Sequence, residues 1–163
     1  MVKYLIVIVT LLALAGCSSV LSDRVLEAQP SVSFATVREN PDQSTGKLVV
    51  VGGRLLGIHQ VDGISYLEVL EHPLDSRLRP ADADVSAGRF LIQMAGQPDP
   101  QVWSRDRLVT LAGKVVGVQS RALGQTSYTY PILNLEEVHL WPIEDYYYSR
   151  PLSTFSIGGG LSF

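Results

Sequence analysis

Leu48-Val49-Val50-Val51-Gly52-Gly53-Arg54-Leu55-Leu56-Gly57-Ile58 returns at an offset of 60 as Leu108-Val109-Thr110-Leu111-Ala112-Gly113-Lys114-Val115-Val116-Gly117-Val118. Each copy sets a glycine before a long cation, then two aliphatic residues, then a second glycine. Aliphatic and β-branched runs of this kind read as strands. A strand with glycine in its middle is one that bends or bulges as a small barrel closes, because a position without a side chain permits the coiling. Two bent strands with other strands between them predict a closed sheet, set against a sandwich or an open sheet built from the same residue types.

Working outward, Asp62-Gly63 is a hairpin signal, since glycine tolerates the positive φ that such a turn requires. Ile64 to Leu70 is the returning strand, Arg89 to Met94 a third, and Arg107–Gly117 and Tyr128–Trp141 two more, with Ala122 to Gln125 as their loop. Helix is scarce. Its best candidate is Pro100 to Arg105, with Asp99 as N-cap and Pro100 at the first helical position. The order of three strands, a short helix and two strands, with the first and fourth bent, predicts a mainly β fold: a small, closed, OB-like five-stranded barrel with one short helix.

The barrel is expected to occupy residues 46–142, preceded by a signal peptide (1–16) and a lipidated tether (17–45) and followed by an aromatic, uncharged tail (143–163). Within the tether, a helical turn is expected near Val25 to Ala28 and an edge strand at Val32 to Val37. Pro30 and Pro41 break anything longer, so order is expected to begin at Gly46.

The N-terminal assignment rests on the run Tyr4 to Ala15, 12 uncharged residues after Lys3. That suits a signal-peptide core and falls short of the ~20 residues a spanning helix needs. The run ends in Leu14-Ala15-Gly16-Cys17, which contains the only cysteine of the chain. This resembles the lipobox of bacterial lipoproteins, in which the cysteine sulfur takes a diacylglycerol as a thioether and the small residues before it let the backbone lie extended in the peptidase. Cys17 is thus the expected lipid-attachment site. Two or three acyl chains, at ~0.8 kcal/mol per buried CH₂, hold a protein on a membrane without a spanning helix. Ser18 stands where an aspartate favours inner-membrane retention in enteric lipoproteins, which points to the outer membrane.

The chain has 163 residues and a formal charge of −3. Without its first 16 residues it keeps 147, enough for one domain with a core, and loses only Lys3 among its charges. No basic stripe is present to neutralise a row of phosphates, so no nucleic-acid partner is expected. Acylation of Cys17 would leave no thiol for disulfides or catalysis.

No catalytic set is legible. His59, His72 and His139 lack the spacing of a zinc site. No serine sits in a nucleophile motif. Glu136 and Glu137 are adjacent on a strand and point to opposite faces, and Gly158 to Gly160 lack the lysine of a phosphate loop. No metal or cofactor is expected. Arg77 and Arg79, in a loop stiffened by Pro73 and Pro80, are open to two readings: they clamp an anion, or Asp75 pins the loop through them, the preferred reading. Tyr66, Tyr128 and Tyr130 mark a barrel face where OB-like folds hold a glycan or peptide. Trp141 is expected to cap the core, and Tyr146-Tyr147-Tyr148 lead into the tail.

The lipobox, Gly46-Lys47, Gly52-Gly53-Arg54, Leu67 to Leu70 with Pro73-Leu74-Asp75 and Arg79-Pro80, Gly88-Arg89-Phe90, Asp99-Pro100, Val109 to Gly113, Tyr130-Pro131 and His139-Leu140-Trp141 together resemble the Slp family of outer-membrane lipoproteins, over about residues 1–142. The resemblance implies a lipid-anchored protein of the cell outer membrane linked to starvation, stationary-phase and acid stress, without established catalysis. It carries over one residue, Cys17. Two expectations follow: a non-enzymatic role in envelope integrity or stress response, and, as the alternative, a periplasm-facing module that binds an envelope glycan, peptide or protein.

Overall fold

The computed structural model describes residues 19–28, 32–81 and 84–143. Cys17, the segment expected to be a signal peptide, and the tyrosine run with the tail after it lie outside the described residues. Five strands, β1 (Leu48–Val61), β2 (Ile64–Glu71), β3 (Arg89–Ala95), β4 (Leu108–Leu123) and β5 (Thr126–Leu140), close into a barrel in the order β1-β2-β3-β5-β4. All neighbours are antiparallel except β3 and β5, which pair in parallel through Leu91–Ile132, Ile92–Leu133 and Gln93–Asn134. The expected OB-like five-stranded barrel is the observed one.

The repeated sequence explains the closure. Val51 and Leu111, equivalent positions of the two copies, are register partners, so the bent strands lie antiparallel to each other at the seam where the barrel closes. The second glycine of each copy sits at a register shift: β1 bulges against β2 between Leu55 and Gly57, and β4 against β5 between Val115 and Gly117. A bulge adds twist where a strand must turn from one neighbour to the next. β1 does this, pairing with β4 as far as Arg54 and with β2 from Gly53 onward. Asp62 and Gly63 both have positive φ (50° and 76°), as the hairpin reading requires.

Along β2 the buried residues are Ser65, Leu67 and Val69, the alternation of a strand with one face in the core. Leu67 and Val69 meet Val49, Val51, Leu55, Phe90, Ile92, Val109, Leu111, Val115 and Leu133 inside the barrel. Phe34 and Val37 join this core from outside the strands, with the Phe34 ring 5.3 Å from that of Phe90.

Those two residues belong to α2 (Phe34–Glu39), one of three short helices among the described residues with α1 (Asp23–Glu27) and α3 (Pro41–Ser44), all within the stretch expected to tether. The edge strand expected at Val32 to Val37 is therefore corrected to helix. The Ser33 hydroxyl accepts the Thr36 amide at 3.2 Å as an N-cap, and the spacing of Phe34 and Val37 puts both on one helical face. Leu21 and Val25, at and before α1, pack outside the barrel on Ala112, Leu48 and Val50. Order accordingly begins before Gly46.

The one short helix expected at Pro100 to Arg105 is also corrected: that segment is a turn. Asp99 does cap it, its carboxylate accepting the Gln101 amide at 2.8 Å and its carbonyl the amides of Val102 and Trp103. Two constraints stop the helix there. Trp103 packs against the core, and Asp106, at φ 66°, donates its amide to the Leu55 carbonyl and sends the chain into β4.

Candidate functional site

Residues on the outer face of β1–β3 are set by the same alternation that fills the core. With Ser65, Leu67 and Val69 inward, Tyr66 and Glu68 face out, and register places His59 and Gln93 on either side of Tyr66 and Leu91 beside Glu68. The distal halves of β4 and β5 form a two-stranded ribbon that extends past the strands it is paired with at its base. Gln119 pairs with Tyr130 and Arg121 with Tyr128 across this ribbon, so all four point to one side.

That side lies over β2 and β3. The Tyr130 hydroxyl donates to Glu68 Oε1 at 3.2 Å, and the Arg121 guanidinium carbon stands 5.3 Å from the centre of the Tyr66 ring. The Tyr128 hydroxyl accepts the backbone amide of Arg89 at 2.8 Å, and the Tyr128 and Tyr130 rings meet edge to face at 4.7 Å. Leu91 is fully buried here although it is on the outer side of the sheet.

Glu68 is the centre of the group. Its side chain is 15% exposed, and it binds Arg89 Nη1 at 2.7 Å, with His59 Nε2 at 3.6 Å from its other oxygen. A part-buried carboxylate of this kind needs a charged partner. The bond to Glu68 holds the Arg89 guanidinium protonated beyond its already high range. Burial, and next the negative charge of Glu68, push the Tyr130 phenol above its ordinary value. The folded protein thus holds the Tyr130 proton more tightly than the unfolded chain does. Its contribution to stability is complete below the unfolded phenol value of about 10 and is lost as pH rises through the folded value. Tyr130→Phe is expected to cost about 1 kcal/mol at pH 8, the worth of one hydrogen bond. The difference from wild type is expected to shrink as pH rises above about 10. Urea unfolding of both proteins across that range checks this, and a constant difference would contradict it.

The tyrosines expected to share a face, Tyr66, Tyr128 and Tyr130, are brought together. Arg77 and Arg79 are placed by a different element. They sit in the loop after β2, where the Asp75 carboxylate accepts the backbone amides of Arg77 and Arg79 at 2.8 and 2.9 Å. Asp75 does pin the loop, through main-chain donors, and the Arg79 guanidinium stacks 5.0 Å from the Trp141 ring. Trp141 donates from Nε1 to Thr110 Oγ1 at 3.0 Å and meets His139 edge to face, packed against the outside of β4. Glu136 and Glu137 part as expected, the first to Lys114 at 2.7 Å and the second to the Ser22 hydroxyl at 2.7 Å.

Glu68, Arg89, Arg121 and His59 were not singled out as a group by sequence reading. The available signal was the phase of β2, which puts Glu68 beside Tyr66 on the outer face. No local pattern links either to Arg121. Among the described residues no three His, Cys, Asp or Glu side chains are placed to hold a metal ion.

The chain is similar to the lipoprotein YeaY of Escherichia coli K12, 30% identical over 132 residues that span 80% of this chain and 67% of that protein. It is similar to the outer membrane protein Slp of the same organism, 28% identical over 134 residues (81% and 71%), and to an uncharacterized protein of Haemophilus influenzae Rd, 26% identical over 102 residues (62% and 55%). The model of the outer membrane lipoprotein Slp family matches residues 14–157, farther into the tail than the sequence motifs reach. With a match running from three residues before Cys17 through the whole barrel, the chain belongs to the Slp family of outer membrane lipoproteins.

Proposed function

We propose that the protein is a non-enzymatic module of the cell envelope, held at the outer membrane by acyl chains on Cys17, that supports the envelope in starvation, stationary phase and acid stress by docking a partner on the outer face of β1–β3. Family membership supports the location and the anchor. The observation that carries the non-enzymatic part is the state of Glu68. It is the best-placed carboxylate of the face, yet Arg89 and Tyr130 occupy one of its oxygens and His59 stands near the other. A carboxylate so committed orders its neighbours and is poorly placed to take a substrate's proton. The convergence of Tyr66, Tyr128 and Tyr130 favours binding on that same face.

Cys17→Ala in the full chain tests the anchor. Wild type is expected in the outer-membrane fraction with a lipid mass on Cys17, and the variant in the soluble periplasmic fraction without it. An unmodified wild-type protein, or a variant that stays in the outer membrane, would remove the anchor. A deletion strain that survives stationary phase and acid challenge as well as its parent would remove the stress role.

A further inference from the structure

We infer that the face of β1–β3 under the ribbon takes an acidic saccharide, its carboxylates received by Arg89 and Arg121. This rests on the binding role proposed for that face and adds the chemistry of the ligand. Both guanidiniums are already oriented by the protein while most of their donors remain open. Arg89 gives Nη1 to Glu68, is 32% exposed, and has its own backbone amide fixed by Tyr128. Arg121 gives Nε to Gln119 Oε1 at 3.0 Å and lies over the Tyr66 ring. Arg89 also meets the Tyr130 hydroxyl, but each guanidinium carries five N–H donors, more than these contacts use.

An arginine held on one edge presents its other edge as a fork that matches a carboxylate, with less side-chain entropy left to lose. The residues that anchor the two, Tyr66 and Glu68, are two strand positions apart, roughly 7 Å. Two guanidiniums against one carboxylate also leave this face positive on a chain of net charge −3. A ligand with repeated negative charges at sugar spacing fits that arrangement. Gln93, His59 and the hydroxyl groups of the half-buried Tyr66 and Tyr128 supply the kind of polar contacts that sugar hydroxyls use, while Tyr130 is buried beneath them. A lipid headgroup fits less well. Its acyl chains need broad apolar surface beside the charge, and exposed Val118 alternates to the opposite side of the ribbon from Arg121, which leaves Val61, at the end of β1, as the one exposed large aliphatic residue on the His59 side among the described residues.

The test is calorimetric titration of the full-length protein, in a neutral detergent, with tetragalacturonate, with uncharged maltotetraose and with phosphatidylglycerol vesicles. Saturable binding of tetragalacturonate is expected, weakened by salt. Arg121→Gln is expected to weaken it at least about tenfold while leaving thermal unfolding unchanged. Arg121 is the variant of choice because removing Arg89 would strand Glu68. If maltotetraose binds as tightly, is lost in Tyr128→Ala and is indifferent to Arg121→Gln, the face binds sugars but the acidic class is wrong. Preference for the vesicles would overturn the saccharide, and no binding of any probe, or binding indifferent to both variants, would overturn this inference and the proposed face together.

Discussion

Gly53→Ala is expected to leave the chain unfolded, or to destabilise it by at least about 4 kcal/mol, a large part of the 5–15 kcal/mol that holds a typical domain. A Cβ built at Gly53 overlaps the carbonyl oxygen of Leu70 and comes within 2.8 Å of its carbonyl carbon and 2.9 Å of Glu71 Cα. These are backbone atoms of β2, so no rotamer change relieves the contact. Relief requires moving β2 away from β1, which breaks the pairing of Gly53 with Glu71 and Arg54 with Leu70 at the point where β1 changes neighbours. Gly57→Ala is the control. A Cβ there meets nothing within 4 Å, and the substitution is expected to cost under about 1 kcal/mol. Far-UV circular dichroism and urea unfolding of the two full-length variants check the contrast. A Gly53→Ala protein that unfolds at the wild-type urea concentration would show that β1 does not need this close approach.

Phe90→Ala is expected to cost about 3–5 kcal/mol, the range for a fully buried aromatic side chain cut to a methyl group. Phe90 has no exposed surface and lies in the same cluster as Leu67, Val69 and Ile92. Its ring also receives Phe34 from α2 at 5.3 Å, tilted by 57°. The substitution therefore opens a cavity in the barrel and removes the surface that α2 docks on. Phe34→Ala, whose ring lies at the edge of the same cavity, is expected to share part of that loss. The double variant should then be less destabilised than the sum of the two single ones, as for any pair in contact. Urea unfolding of all three variants measures the coupling. Additive losses would mean that α2 and the barrel do not share a core, and a Phe90→Ala cost below about 1 kcal/mol would contradict the burial.

Local signals carried much of this fold. Asp62-Gly63 announces its hairpin because only two positive φ values are needed, both supplied by adjacent residues. The echo of Gly53 and Gly57 in Gly113 and Gly117 announces bent strands because a bulge marks its own position with a missing side chain. Signals that depend on distant partners were misread. Val32 to Val37 alternates enough to resemble a strand until the Ser33 cap and the Phe90 ring are both in place to favour a helix. Pro100 to Arg105 has the N-terminal signs of a helix, but Trp103 and Asp106 answer to the core and to Leu55.

The same division runs through the candidate site. Tyr66, Tyr128 and Tyr130 were legible as a group because aromatic residues on barrel strands are scarce. Arg77 and Arg79 are near each other in sequence, yet the arginines that meet the tyrosines are Arg89 and Arg121. Glu68 is 21 residues from Arg89 and 62 from Tyr130, so nothing local pairs them. By itself the sequence determined the lipobox pattern at Cys17, the strands and the glycines at which they bend, because each depends on residues within a few positions of one another. Only the tertiary structure decided that β3 meets β5 in parallel, and that the ribbon thereby lies over Glu68 and gathers Arg89, Arg121 and Tyr130 around it. Strand order and register bring together residues that chain distance keeps apart, and their charges interact only across that short space.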